Sequence, residues 1–159
     1  QTGTLRVAEA VRNLANQASV IVNFSVHEPE MPAAYLDALS EHVIFTGCVS
    51  TLAGPILDNE LSDKKVVKVV ASKRGKAIYF SRDKIEGASK HMGVYGYSIK
   101  HLERIENMPK TSASLEQLSW MDNGMDLSIL RVEKGTDAIT TSGDFDNWQP
   151  PLDTSHVFT

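Results

Sequence analysis

Apolar and polar positions follow two different periods along this chain. Over residues 4–17, Leu5, Ala8, Val11, Leu14 and Ala15 recur at helical spacing, with Ala18 just beyond, while Arg6, Glu9, Arg12 and Asn13 take the other side. That spacing predicts an amphipathic helix with one face turned to a core. Val20-Ile21-Val22-Asn23-Phe24 is instead a short, continuous run rich in β-branched residues. Such a run predicts a strand buried on both faces, as in a parallel sheet. A polar loop, His27-Glu28-Pro29-Glu30, follows it, and Pro32 suits the first turn of a second helix aligning Tyr35, Leu36, Leu39 and Val43.

Residues 48–53 predict a strand, followed by a turn-rich link through Gly54-Pro55 and Asp58-Asn59. Val66-Val67-Lys68-Val69-Val70 and Lys76-Ala77-Ile78-Tyr79-Phe80 flank Lys73-Arg74-Gly75, which predicts a hairpin with a basic turn. Residues 92–97 predict another strand, and residues 99–105 a short helix. Ser114 and Gln117 have capping-box spacing for a helix through Met121 that Asn123-Gly124 closes. Residues 127–132 predict a last strand, and from Gly143 the chain is polar and predicts loop. This order predicts one α/β domain over residues 1–149, with a mixed, mostly parallel sheet and a hairpin insertion, followed by a polar tail over residues 150–159. Open α/β sheets take ligands at the carboxyl ends of their strands. The loop after Phe24 is therefore the first candidate site, ahead of those after Phe80 and Tyr97.

Composition narrows the class of protein. The 159 residues are 42% hydrophobic and 23% charged, the profile of an ordinary globular domain able to bury its core without staples. No stretch approaches the ~20 apolar residues of a membrane span. The opening residues lack the pattern of a secretory leader, and Cys48 is the only cysteine, which excludes an internal disulfide. A reducing, cytoplasmic setting is the expectation. Cys48 lies in an apolar run and reads as a small hydrophobe rather than a nucleophile. The formal charge of −4, from 16 basic and 20 acidic residues, argues against nucleic acid as a partner.

The order of short motifs adds an identity of type. Gly3-Thr4-Leu5-Arg6-Val7-Ala8-Glu9 resembles the "S-G-T-D/E-R-V-A-E" segment of the CMP-KDO synthetase (3-deoxy-manno-octulosonate cytidylyltransferase) family. Val20 to Pro29 resembles its "I-V-N-V-Q-G-D-E-P", and Ser50-Thr51-Leu52-Ala53-Gly54-Pro55-Ile56 its "A-T-L-A-x-P-I". Val66-Val67-Lys68-Val69-Val70 with Ala77-Ile78-Tyr79-Phe80-Ser81-Arg82 is similar to "V-K-V-V … A-L-Y-F-S-R". His91-Met92-Gly93-Val94-Tyr95-Gly96-Tyr97 is similar to "H-I-G-I-Y-G-Y", and Leu115-Glu116-Gln117-Leu118 to "L-E-Q-L". The resemblance implies a Rossmann-like nucleotidyltransferase fold. It also implies an enzyme that uses CTP and Mg²⁺ to couple CMP to a sugar acid, with release of pyrophosphate. By that resemblance Arg82, His91, Tyr95, Glu116 and Gln117 line the sugar-acid pocket, while Gly3, Thr4, Arg6 and Glu28 lie near the nucleotide.

Departures from the pattern concern the phosphate chemistry. The family's glycine-rich phosphate loop and first strands have no counterpart, so the chain is expected to be N-terminally incomplete. His27 and Ser142 stand where the family carries its two metal-binding Asp residues, and a neutral imidazole is a poor substitute for a carboxylate on Mg²⁺. Impaired transfer is one expectation; a non-catalytic remnant serving as a binding or structural subunit is the alternative. Without the family's first strands, the strand over residues 20–24 would expose an edge, which predicts a homodimer or a partner covering it.

Overall fold

The computed structural model describes residues 2–13, 18–109 and 114–148, so the predicted helical residues 14–17 and the predicted tail, residues 150–159, lie outside what is described. Its organising element is the nine-residue strand β5 (Ser89–Tyr97). Strand β2 (Val49–Gly54), buried at every position, runs antiparallel along one edge of β5. The other edge is shared. There β1 (Ile21–Asn23) pairs with residues 95–97, and β3 (Lys68–Ala71) pairs with Lys90 and Ser89. Strand β4 (Ala77–Ser81) extends the sheet beyond β3, and β6 (Leu127–Arg131) extends it beyond β2, in the order β4-β3-β5-β2-β6.

A mixed sheet is observed, but not a mostly parallel one. Of the five ladders between these strands, only β2–β6 is parallel. Four strands, β1, β2, β3 and β6, point the same way, and β5 runs against them from the centre. Every ladder it makes is therefore antiparallel. Hydrophobic runs report burial, not direction, which is why the pattern of β-branched residues misled on this point. The same applies to β1, which is half-buried at all three positions rather than buried on both faces. Among the described residues, no strand pairs with its outer edge.

Alternation along β5 feeds two cores. Met92 and Val94 meet Leu39 and Leu52 under α2 (Ala33–Thr46). Tyr97 joins Ala8, Leu102, Ile105 and Trp120 beneath α1 (Gly3–Asn13), α4 (Ile99–Glu106) and α5 (Glu116–Asp122). An Arg12–Glu106 ion pair links α1 to α4. Helix α4 starts where Ser98 accepts a hydrogen bond from the His101 N–H at 3.3 Å, which meets one of the four donors that a helix start leaves unpaired.

Several boundaries depart from expectation. β5 begins at Ser89, three residues before the predicted start, because Lys90 and Ser89 still pair with β3. Ser114 does not cap α5, which begins after Leu115 with no side-chain cap. The turn-rich link contains a one-turn helix, α3 (Asp58–Leu61). The polar stretch read as loop forms α6 (Ser142–Asn147), capped by the Thr141 hydroxyl, which accepts the Asp144 N–H at 3.1 Å.

Helix α2 packs tightly on β5 at Gly96, where a Cβ would lie 2.6 Å from Val43 Cγ2 and 3.3 Å from Leu39 Cγ. Both neighbours are buried, and Val43 is β-branched and stiff about χ1. Gly96→Ala should therefore destabilise the fold by about 1–3 kcal/mol through overpacking, lowering the midpoint of urea denaturation. An unchanged midpoint would show that α2 is free to move outward.

Candidate functional site

Between its pairings with β1 and β3, the edge of β5 lacks a strand partner, and a side chain fills the gap. Glu28, in the loop after β1, is buried, and its carboxylate accepts the Gly93 N–H at 2.7 Å and the Thr136 hydroxyl at 2.8 Å. A Cβ on residue 93 would approach Glu28 Oε1 to 3.1 Å, so glycine suits this close contact. Over this stretch lies a cavity of about 440 Å³. Its walls are β5 (Lys90, His91, Gly93, Tyr95), the segment 60–67, Leu115 and Gln117 at the start of α5, and residues 136–140 after β6.

A bulge aims the central side chain. Opposite Thr51 and Leu52 the register of β5 slips from Tyr95 to Met92, leaving Gly93 and Val94 unopposed. Thr51 fills the defect: its hydroxyl donates to the Val94 carbonyl at 2.6 Å, and its lone pair faces His91 Nε2 at 2.9 Å. With the hydroxyl proton committed to Val94, Thr51 accepts from His91, which fixes the Nε2–H tautomer and leaves Nδ1 as a lone-pair acceptor. Burial pushes the His91 pKa down to about 3, so the ring stays neutral. Bulges commonly re-aim side chains beside functional sites in this way.

Aromatic rings continue the wall. His91 lies edge-on to Phe80 at 5.0 Å between centroids and tilted to Tyr95 at 5.5 Å; Tyr95 in turn meets the edge of Trp120 at 5.2 Å. Burial, then the neighbouring Tyr97, Glu116 and Glu28, raise the Tyr95 phenol well above its ordinary range, so it remains a donor. Gln117 is only 5% exposed, yet its carboxamide has no hydrogen-bond partner among the described residues. No fully enclosed polar side-chain atom there is left unsatisfied, so the Gln117 amide meets the space of the cavity.

The charge is lopsided. Glu28, Glu60, Asp63, Asp137 and Asp144 line the cavity against two cations, Lys65 and Lys90. Lys90 donates to Glu60 Oε1 at 2.6 Å and to Asp137 Oδ1 at 2.7 Å. Burial lowers its pKa, but the two carboxylates more than offset this and the net shift is upward.

Of the residues that resemblance assigned to a sugar-acid pocket, His91, Tyr95 and Gln117 share this cavity. Arg82 and Glu116 do not line it. The Arg82 guanidinium donates to the carbonyls of Lys64 at 3.1 Å and Lys65 at 3.3 Å, behind the 60–67 wall. Glu116 faces a second, smaller cavity of about 200 Å³ and accepts from the hydroxyls of Thr2 at 2.5 Å and Thr4 at 3.2 Å. Burial raises its pKa against the lowering effect of those two bonds. Of the residues assigned near the nucleotide, Glu28 belongs to the main cavity and Thr4 to the second group, where its hydroxyl also meets Tyr97 at 3.1 Å. Gly3 and Arg6 are exposed on α1. The reading missed Lys90, the 60–67 wall and residues 136–140. The one available signal for Lys90 was its place directly before the motif histidine His91.

The Mg²⁺ that the resemblance implies finds no fitting donor set among the described residues. His27 is exposed outside the cavity, and Ser142 lies exposed at the start of α6. Nearby Asp144 turns its carboxylate back to the Thr140 and Thr141 N–H groups and the Thr140 hydroxyl; these bonds pull its pKa down to about 2. Glu28, Glu60 and Asp137 are likewise bound to internal donors. No three His, Cys, Asp or Glu groups there are spaced to hold a metal. Glu30, beside His27, accepts from Trp148 Nε1 at 3.1 Å.

The fold and this cavity define a nucleotidyltransferase-type α/β protein, and the comparisons place it further. The model of the cytidylyltransferase family matches residues 1–129, so the chain belongs to that family. Curated relatives that it matches include 3-deoxy-manno-octulosonate cytidylyltransferases. A 3-deoxy-manno-octulosonate cytidylyltransferase of Anaeromyxobacter dehalogenans (strain 2CP-C) is 33% identical over 141 residues, covering 80% of this chain and 58% of the relative. One from Leptospira interrogans serogroup Icterohaemorrhagiae serovar Lai is 32% identical, covering 91% and 64%. The solved structure of CMP:2-keto-3-deoxy-manno-octonic acid synthetase complexed with CTP superposes with a TM-score of 0.83 at 26% identity, covering 92% of this chain and 66% of that one. The chain thus spans about six-tenths of the length of the curated relatives it matches.

The neutral state of His91 has a thermodynamic signature. Its folded pKa, pushed down to about 3 by burial, lies below the ordinary imidazole value of 6.5. Between those values the unfolded chain binds a proton that the folded chain does not. Its contribution is therefore present above the unfolded pKa and is lost as pH falls. Denaturation of wild type between pH 6 and pH 4 should lose up to about 1.4 kcal/mol per pH unit more than His91→Gln. Parallel stability profiles would refute the buried, neutral imidazole.

Proposed function

We propose that this chain binds a 3-deoxy-manno-octulosonate-like sugar acid in the cavity over β5, as the sugar side of CMP transfer from CTP with release of pyrophosphate. The observation that carries this reading is the Gln117 carboxamide, nine-tenths buried and without a partner among the described residues, in one cavity with the neutral His91 and the Tyr95 phenol. A polyhydroxylated ligand needs such convergent donors and acceptors between apolar rings. His91 Nδ1 accepts from a sugar hydroxyl, Tyr95 donates, and the Gln117 amide does both. Holding that hydroxyl in place is what the transfer asks of this side of the site, since positioning supplies much of the rate.

The triphosphate side makes a different demand. Its charge calls for a hard cation on carboxylates and for donors along the phosphates. In the proposed function those groups come from outside the described residues. The commitment of Glu28, Glu60, Asp137 and Asp144 to internal donors favours a second reading as well, a non-catalytic sugar-acid-binding subunit.

Calorimetric titration separates these. The chain should bind 3-deoxy-manno-octulosonate with a Kd between about 1 μM and 1 mM, and His91→Ala should weaken it by about 10-fold. No heat with the sugar acid would overturn the proposal. Binding of CTP that requires Mg²⁺ would support the catalytic reading; sugar-acid binding without any response to CTP and Mg²⁺ would leave the binding-subunit reading.

A further inference from the structure

A sugar acid brings a carboxylate into a cavity already lined by five. Resting on the sugar-acid reading above, we infer that Lys90 is the carboxylate anchor, and that Asp137 occupies it as an internal stand-in which the ligand displaces. The two partners of Lys90 are held very differently. Glu60 is pinned: its Oε2 accepts the Leu57 N–H at 2.8 Å while Oε1 takes Lys90, and its side chain is 14% exposed. Asp137 bonds Lys90 through Oδ1 alone, and its side chain is 90% exposed. Swinging it into water costs little solvation, since it is already wet. Lys90, by contrast, is 9% exposed and cannot be left with Glu60 alone without losing part of its compensation.

An incoming carboxylate restores that compensation, so the exchange conserves charge at the ammonium: one carboxylate leaves and another arrives. The surrounding loop is built to let only the side chain move. The Thr136 hydroxyl is tied to Glu28, and the Ile139 N–H donates to the His27 carbonyl at 2.7 Å, so the chain is held by a side chain before Asp137 and by its backbone after it. Gly54 locks it from below, where a Cβ would lie 2.9 Å from the Gly135 N. The other cation of the cavity, Lys65, is 57% exposed, so water already solvates it and it needs no incoming anion, and Arg82 is engaged with the Lys64 and Lys65 carbonyls outside the cavity. Lys90 adjoins His91 in sequence and shares the cavity with Gln117, so one ligand can reach all three.

The test rests on opposite signs. If Asp137 competes with the ligand, Asp137→Asn should raise the affinity for 3-deoxy-manno-octulosonate by about 2- to 5-fold, the strength of an exposed ion pair. Lys90→Gln should lower it by about 10-fold or more. Neither change should alter the affinity for the uncharged methyl ester of the sugar acid by more than about 2-fold. A merely structural ion pair predicts that Asp137→Asn leaves or weakens sugar-acid binding, and that outcome overturns the inference. Asp137 is a surface residue, so its variant remains informative even where Lys90→Gln fails to fold. Binding that depends on His91 but is indifferent to Asp137 refutes the anchor and spares the site. Absence of sugar-acid binding in wild type refutes the site itself.

Discussion

The structure turns on a carboxylate doing the work of a strand. Strand β5 has two partners on one edge and a gap between them, and Glu28 closes the gap by accepting the Gly93 N–H. A buried backbone donor without a partner is costly, and so is a buried carboxylate. Here each removes the penalty of the other, with Thr136 completing the arrangement. Because a side chain rather than a strand does the closing, the sheet keeps an opening at its centre. The cavity lies over that stretch of β5, with Glu28 and Gly93 in its wall.

That geometry explains which parts of the molecule were legible in the sequence. The elements with a clear period, β2, β4 and β6, lie within one residue of where the pattern puts them, and α2 begins where Pro32 puts it and runs to Thr46, three residues past the last apolar position read on it. The direction of β5 was not legible, since alternation along it reports burial on two faces and says nothing of its neighbours. Nor was the Thr51–Leu52 bulge, which depends on two strands forty residues apart. Of the site, motif order led to His91, Tyr95 and Gln117, which the fold does bring together. It also pointed to Arg82 and Glu116, which face other partners. Motifs fix position along the chain, whereas the choice between two sides of a wall is made by packing.

Two buried lysines show how backbone and side-chain partners lead to different chemistry. Lys68 is fully buried and donates to three carbonyls, those of Asp63 at 2.5 Å, Val66 at 2.8 Å and Arg82 at 3.0 Å. Carbonyl dipoles compensate the ammonium only partly, and burial pulls its pKa down against the attraction of Asp63 and Asp83. Those partners are backbone atoms, so Lys68 cannot change them without undoing the segment 63–66 and the end of β4. It is a structural rivet behind the cavity wall, and Arg82 reinforces the same wall through its own two carbonyls.

Lys90 has side-chain partners instead, and side chains can be exchanged. The difference decides where an anion can enter a cavity with an excess of carboxylates. Repulsion from Glu28, Asp63 and Asp144 opposes any acid that approaches at random, so only a position beside an exchangeable cation is open to it. An acidic lining thus selects against phosphates and other multiply charged anions more strongly than against a single carboxylate with a polyol body. The same lining that disfavours a triphosphate in this cavity is compatible with a sugar acid, as the proposed function requires.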